Sequence, residues 1–246
     1  MTAALLISDL HLDEAKPHLT DIFVKFMSGQ ARTAPELYLL GDLFEYWLGD
    51  DEDAPIAETF ANAVHGVSES GTKVYFMHGN RDFLLGDKYA ARCGMTLLAD
   101  PVVRKIGGVD TLLTHGDRYC TNDAKYMAAR AQYRHPQMMQ MILAKPIAER
   151  RMLAEGLRKQ SREHQKQFGE GTRMDAGDVV DETLIQEMAE KGVHRLIHGH
   201  THRPNVHTLS LPDGSSAERI VLADWRDHGQ ALQVNADGTY SRLELT

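Results

Sequence analysis

The chain has 246 residues with 27 Lys or Arg against 35 Asp or Glu, a formal charge of −8. With 42% apolar and 25% charged residues it has the balance of a soluble globular protein, which excludes a disordered chain. No run approaches the roughly 18 apolar residues of a membrane span, and the start, Met1 to Asp9, has no basic lead, so no signal peptide is expected. Two cysteines, Cys93 and Cys120, exclude a disulfide framework and fit a reducing compartment. Thirteen histidines direct attention to metal chemistry.

Along the chain, Ala4-Leu5-Leu6-Ile7 is a short continuous apolar run, as expected of a strand buried on both faces. Ile22, Phe23, Phe26 and Met27 follow at helical spacing. Leu37 to Leu40 is a second apolar run and stops at Gly41-Asp42. A helix is expected around Ile56 to Val67, then a strand from Lys73 to Met77 that stops at His78-Gly79-Asn80. After a helix over Asp87 to Cys93, Thr111 to Thr114 stops at His115-Gly116-Asp117. Near the end, Arg195-Leu196-Ile197 stops at His198-Gly199-His200-Thr201-His202, and Pro204 bars helix continuation. From Ile220 to Leu245 the pattern is that of strands, with turns at Asp213-Gly214 and Asp237-Gly238.

Five apolar strands thus end in clusters of Asp, His or Asn, the place where sites collect at the carboxyl edge of an α/β sheet. Asp9 and His11 stand two apart at the first such end. Asp42 adds a carboxylate able to bridge two cations, Asn80 a carbonyl oxygen, and His115, His200 and His202 imidazoles. Mixed oxygen and nitrogen ligands without thiolate suit Mn²⁺, Fe²⁺ or Zn²⁺ in a catalytic role. Seven ligands exceed one tetrahedral ion and suit two ions about 3.5–4 Å apart that share a carboxylate.

Asp9-x-His11, Gly41-Asp42-x-x-Glu45, Gly79-Asn80-Arg81-Asp82, His115-Gly-Asp117 and Gly199-His200-Thr-His202 resemble the five blocks of the calcineurin-like metallophosphoesterases. The flanking words Phe83-Leu84-Leu85-Gly86, Asp117-x-x-Cys120-Thr-x-Asp123 and His198-Gly-His-Thr-His-Arg-Pro204 are similar to the branch acting on UDP-2,3-diacylglucosamine in lipid A biosynthesis. The resemblance implies an α/β fold, a β-sandwich flanked by helices, formed as one domain over residues 1–246. It implies that Asp9, His11, Asp42 and His202 hold one metal, and Asp42, Asn80, His115 and His200 the other, with Mn²⁺ foremost. Asp42, Asn80, His115 and Arg81 would carry catalysis. Asn80, Arg81, Asp123, Arg158, Ser161 and His200 would contact substrate, and Lys166 is the nearest candidate for a further contact. Asp82, Asp117 and Glu45 would orient ligands, while His78 and His198 are expected to be structural.

Arg81 departs from the many family members that carry His in the third block. Arginine cannot donate a proton near neutral pH, but it clamps phosphate oxygens. A departing phosphate monoester, with its second pKa of about 6, needs no proton, so Arg81 favours a pyrophosphate substrate.

From His115 to His200 the chain runs well beyond one strand-helix-strand excursion, and the excess falls on a basic segment. Residues 124–168 hold ten Lys or Arg against three acids, a surplus of seven that leaves fifteen net negative charges elsewhere. This is expected to be a helical insertion, a lid over the site, broken at Pro136 and Pro146. Met138, Met141 and Ile142 would line an acyl groove, and Arg151, Arg158 and Arg162 would form a basic face toward an anionic membrane surface. Gly169-Glu-Gly171 is expected to be a flexible connection. The expected place of work is peripheral, on the cytoplasmic face of the inner membrane. The alternatives are another two-metal nucleotide pyrophosphatase or phosphodiesterase, or a binding module without catalysis. Nucleic acid is disfavoured by the acidic remainder and the absence of an aromatic stacking series, and no obligate protein partner is evident.

Overall fold

The computed structural model describes residues 1–167 and 178–246, the side chains of 160–162 and 164–167 excepted. The expected connection at Gly169-Glu-Gly171, and the side chains of Ser161, Arg162 and Lys166, lie outside what is described. Eleven strands are described: β1 (Thr2–Ile7), β2 (Glu36–Leu39), β3 (Lys73–Met77), β4 (Met95–Leu98), β5 (Val102–Ile106), β6 (Val109–Leu113), β7 (Arg195–His198), β8 (Asn205–Ser210), β9 (Ser216–Val221), β10 (Gly229–Asn235) and β11 (Tyr240–Leu245). They form a six-stranded sheet, in the order β11-β10-β1-β2-β3-β4, and a five-stranded sheet, β5-β6-β7-β9-β8.

The five strands that end in polar clusters therefore divide between two sheets, β1, β2 and β3 in one and β6 and β7 in the other. An apolar run buried on both faces gives no sign of which sheet it joins. Alternation along β1 shows how both faces are used. Leu5 and Ile7 pack with Phe23 and Phe60 on the helical side, whereas Ala4 and Leu6 pack with Leu113 of β6 and Ile197 of β7 between the sheets.

Helices cover both outer faces. On the first sheet lie α1 (Pro17–Ser28), α2 (Pro55–Glu69) and α3 (Asp87–Cys93), the first two opened by a proline whose fixed φ suits a first helical turn. On the second, α7 (Asp181–Lys191) buries Leu184 and Met188 against Leu112 and Leu196. Between β6 and α7 come α4 (Ala124–Tyr133), α5 (Pro136–Leu143) and α6 (Ile147–Gln167), so the chain breaks at both prolines.

Among the described side chains, five cations of residues 124–168 pair with acids of the main body. Arg150 pairs with Asp51 and donates to the Leu48 carbonyl at 2.5 Å. Arg151 lies 3.3 Å from Glu52, and Arg158 lies 2.5 Å from Glu45. Arg130 and Arg134 both reach Asp117, at 2.8 and 3.1 Å. Self-packing thus uses much of the charge expected to face a membrane, because the matching acids are far away in sequence.

Phe60 tests the helical layer. It is 1% exposed, stacks on Phe23 with centroids 4.9 Å apart and tilts against Phe44 at 4.8 Å. Phe60→Ala should destabilise the fold by about 3–5 kcal/mol, read as a lower urea midpoint at unchanged slope.

Candidate metal centre

The strand ends converge through unusual backbone. Asp9, His11, Asp42, His200 and His202 have φ of 55°, 46°, 53°, 67° and 55°, and no other non-glycine residue described has positive φ. Each such residue costs about 1–2 kcal/mol, so the surrounding structure must impose the conformation. Interlocking backbone bonds do so: Asp9 N–H donates to Gly41 O, His11 N–H to Asp42 O and Gly199 N–H to His115 O, all at 3.0 Å.

Two groups of ligand-type atoms result, Asp9 with His11 and His202, and Asp42 with His115 and His200. Within each group the atoms lie within 4.8 Å of one another. Asp42 stands between them, with Oδ2 4.0 Å from His11 Nε2 and Oδ1 3.6 Å from His115 Nε2. Asn80 Oδ1 joins the second group, 3.1 Å from His115 Nε2.

Several ligand candidates are oriented by an atom that faces away from the centre. His115 Nδ1 is 2.8 Å from the Leu40 carbonyl, a bond only an N–H can donate, so a neutral ring turns its Nε2 lone pair inward. Asp9 Oδ2 accepts from Ser8 Oγ and from the His200 N–H at 2.9 Å, leaving Oδ1 toward His202 Nε2 at 3.3 Å. His202 Nδ1 lies 3.4 Å from Asp224. Buried Asp82 accepts from Leu43 N–H at 2.8 Å and Gly79 N–H at 2.7 Å, tying the second loop to the third.

The electrostatics follow from burial and crowding. Burial lowers both His11 and His200 to about 3, which keeps their rings neutral and able to coordinate. Burial raises Asp42, against the pull of His115. Burial would lower His115 too, but the carboxylates of Asp42, Asp9 and Asp117 outweigh it and hold the ring above its ordinary value. For Asp9, burial raises the carboxyl, yet His202 close by and the other imidazoles around it bring it below the usual range.

These residues fit two divalent cations. Asp9 Oδ1 and His11 Nδ1 are buried without a hydrogen-bond partner. His11 Nε2 and His202 Nε2 face each other at 3.1 Å, and the inward Nε2 of His115 meets two oxygen acceptors. Acceptors gathered in this way call for positive charge among them.

The other expected site residues are distributed around this centre. Arg81 donates its backbone N–H to Asp42 Oδ1 at 2.8 Å, and its guanidinium is 3.8 Å from Glu45, with Nε buried and unpartnered. Glu45 also lies 3.8 Å from His11 Nδ1 and takes the pair from Arg158, so it links both arginines to the first group. The Asp123 side chain accepts from Tyr126 N–H at 2.9 Å and caps α4. His78 Nε2 bonds the Leu85 carbonyl at 2.6 Å, and fully buried His198 bonds Gly199 O at 2.8 Å through Nδ1, both outside the two groups.

Beside Asn80 and Arg81 opens a cavity of about 230 Å³ under α4–α6, with Trp47, Phe83, Tyr133, Ile142, Leu153 and Leu157 among its walls. Of the three residues expected to line an acyl groove, only Ile142 does so. Met141 is 64% exposed and Met138 packs on the main core, because the helix turns its stripe partly away from the cavity.

Sequence reasoning missed three contributors. Asp224 orients His202, Tyr126 donates to Asp117 Oδ2 at 3.0 Å with its ring 6.0 Å from that of His200, and Arg134 donates to Gly79 O at 2.9 Å. None lies within a cluster. The only local signal was the polar Asp224-Trp225 step after an apolar strand.

A family model described as calcineurin-like phosphoesterase matches residues 3–204. The chain is 47% identical over 237 residues to a protein of Pseudomonas putida (strain W619) named UDP-2,3-diacylglucosamine hydrolase, covering 95% of each. Proteins of the same name from Ectopseudomonas mendocina (strain ymp) and Stenotrophomonas maltophilia (strain R551-3) are 46% and 44% identical, over 98% and 95% of each chain.

Gly79 provides a test of how tightly the centre is built. A Cβ there would come within 2.2 Å of Asp42 Oδ1 and 2.3 Å of Asp42 N, so the two loops would have to part. Gly79→Ala should weaken divalent-cation binding by about tenfold or more, measured by titration calorimetry on protein with native far-ultraviolet dichroism.

Proposed function

The chain belongs to the calcineurin-like phosphoesterase family, and from that premise we propose that it hydrolyses the pyrophosphate bond of UDP-2,3-diacylglucosamine, giving UMP and 2,3-diacylglucosamine 1-phosphate, a step of lipid A biosynthesis. One juxtaposition carries this reading: two ligand groups with Asp42 standing between them lie beside an apolar cavity whose wall includes Asn80 and Arg81. A phosphodiesterase acting on small nucleotides would leave that cavity without a task.

In this reading Asp9, His11, Asp42 and His202 hold one divalent cation, and Asp42, Asn80, His115 and His200 hold the other. Mn²⁺ suits the mixture of carboxylate, amide and imidazole. When bound, the cations lower the pKa of a water and offset charge at the phosphorus next to uridine.

The chain's own residues do the rest. Asp42, Asn80 and His115 fix the spacing of the centre, each held by a bond to a neighbouring loop. Arg81 meets the pyrophosphate oxygens with a guanidinium whose Nε has no partner in the protein. It neutralises the departing phosphate, which leaves without needing a proton. Arg158, Asp123, Ser161, Lys166 and His200 are the further substrate contacts.

The acyl chains occupy the apolar cavity, and residues 124–168 act as a lid inserted into one domain. Exposed Met141, Leu143 and Met152 on α5 and α6 support peripheral work at the anionic cytoplasmic face of the inner membrane. Among the described residues no helix is long and apolar enough to cross a membrane.

Hydrolysis of UDP-2,3-diacylglucosamine with Mn²⁺ supplied and then chelated tests the proposal. Release of UMP that stops on chelation supports it, and equal turnover of a deacylated UDP-glucosamine would overturn the acyl assignment. Asp42→Ala should abolish UMP release and reduce bound metal to one ion or fewer per chain by elemental analysis. Arg81→His should lose on the order of a hundredfold in kcat/KM on the pyrophosphate, while aryl phosphodiesters lose less because a proton donor is restored.

A further inference from the structure

Arg134 caps the C-terminal end of α4, outside every ligand cluster, yet it reaches the backbone from which Asn80 projects. Its Nη2 donates to the Gly79 carbonyl at 2.9 Å and to Asp117 Oδ2 at 3.1 Å. The guanidinium sits 5.9 Å from the centroid of the Phe83 ring, which limits where it can swing. Gly79 is thereby held from two sides, since its N–H donates to buried Asp82 at 2.7 Å. The glycine packs against Asp42 too closely for any side chain, with Asp42 Oδ1 2.2 Å from the place a Cβ would take.

Asn80 is the next residue, and its Oδ1 is set 3.1 Å from His115 Nε2. Asp117, the other group that Arg134 holds, lies two residues beyond His115. One guanidinium therefore spans the third and fourth ligand loops and joins both to the insertion.

We propose that Arg134 is a positioning residue for the second cation group, fixing Asn80 through the Gly79 carbonyl. The inference rests on the two-metal reading above and adds to it a task for α4 beyond lining the cavity. Removing the guanidinium frees the Gly79 peptide to rotate, and the Asn80 oxygen loses its alignment with His115. Asp117 stays neutralised, because Arg130 grips it through Nε at 2.8 Å and Nη2 at 3.2 Å. The loss should thus fall on one ligand group and leave the fold standing. The hydrogen bonds and ion pair of Arg134 go to Gly79 and Asp117, not to Asp9, His11 or His202, so that group should keep its ion.

The test compares Arg134→Met, Arg134→Lys and Arg130→Met, using Mn²⁺ alone as probe. Bound metal is counted by elemental analysis and affinity is measured by calorimetry. Arg134→Met should weaken one of two Mn²⁺ sites by about 10–100-fold, the range for losing a group that orients a ligand, with little change in Tm. Arg134→Lys should recover part of it, since an ammonium can still donate to the Gly79 carbonyl. Arg130→Met keeps the Gly79 contact and should retain both ions even if its Tm falls. Turnover of a chain-free UDP-sugar pyrophosphate should drop with Arg134→Met in kcat, with KM little altered.

Wild-type affinity at both sites of Arg134→Met would overturn the proposal. So would a loss seen only on acylated substrate, which would make Arg134 a cavity wall and nothing more. Equal loss of metal in Arg130→Met would place the effect in Asp117 and also overturn it. A wild-type chain that binds no Mn²⁺ would instead reject the two-metal reading itself, a separate outcome.

Discussion

A carboxylate taken out of water costs several kcal/mol unless its charge is answered at once. Asp42 is such a group, 2% exposed, between His11 on one side and His115 on the other. The architecture around it serves to hold it there. Its backbone is left-handed, its Oδ1 accepts the Arg81 N–H, and its N–H and Oδ1 sit against Gly79 too closely for any side chain at that position. Parallel strands supply the rigidity that makes the strained conformations at Asp9, His11, Asp42, His200 and His202 tolerable, since their hydrogen bonds continue directly into the loops.

The division into two sheets has a consequence for the centre. β1, β2 and β3 deliver Asp9, His11, Asp42 and Asn80, whereas β6 and β7 deliver His115, His200 and His202. The ligands therefore meet over the seam of the sandwich, whose filling of Leu6, Leu40, Leu113 and Ile197 sets their separation. Gly199 lies at that seam, with Ser8 Oγ and Asp9 Oδ2 only 2.0 and 2.2 Å from its would-be Cβ. Close approach of the two sheets and close approach of the two ligand groups are one packing event.

Charge is arranged with the same economy of position. The acidic main body and the basic helices α4 and α6, with Arg134 at the end of α4, answer each other through Asp51, Glu52, Glu45 and Asp117. These pairs differ in what they do. Asp51 is 63% exposed, so its pair with Arg150 is partly screened and contributes modestly. Asp117 is fully buried, and burial that would raise its carboxyl is overcome by Arg134, His115 and Arg130, which keep it ionised. Arg158 and Arg81 share one Glu45 oxygen, so each retains capacity for an anion.

Much of this was legible in the sequence because it is local. Two-face burial shows as continuous apolar runs, helix starts and breaks as prolines, and the ligand residues as polar words where those runs stop. Lys73–Met77 and Asp87–Cys93 form the expected strand and helix over the same residues. β4, β5, β8 and α7 were not legible, being short or weakly patterned. Which sheet a strand joins, which ring nitrogen of His115 turns inward, and which side of α5 faces the cavity were decided by partners distant in sequence. Arg150 meets Asp51 across 99 positions, His11 meets His202 across 191, and Arg134 meets the Gly79 carbonyl across 55. The sequence determined the kinds of ligand and their order along the chain, because backbone preference and side-chain chemistry belong to each residue. Only the tertiary structure decided distances, tautomers and charge pairing, because those depend on atoms that packing alone brings together.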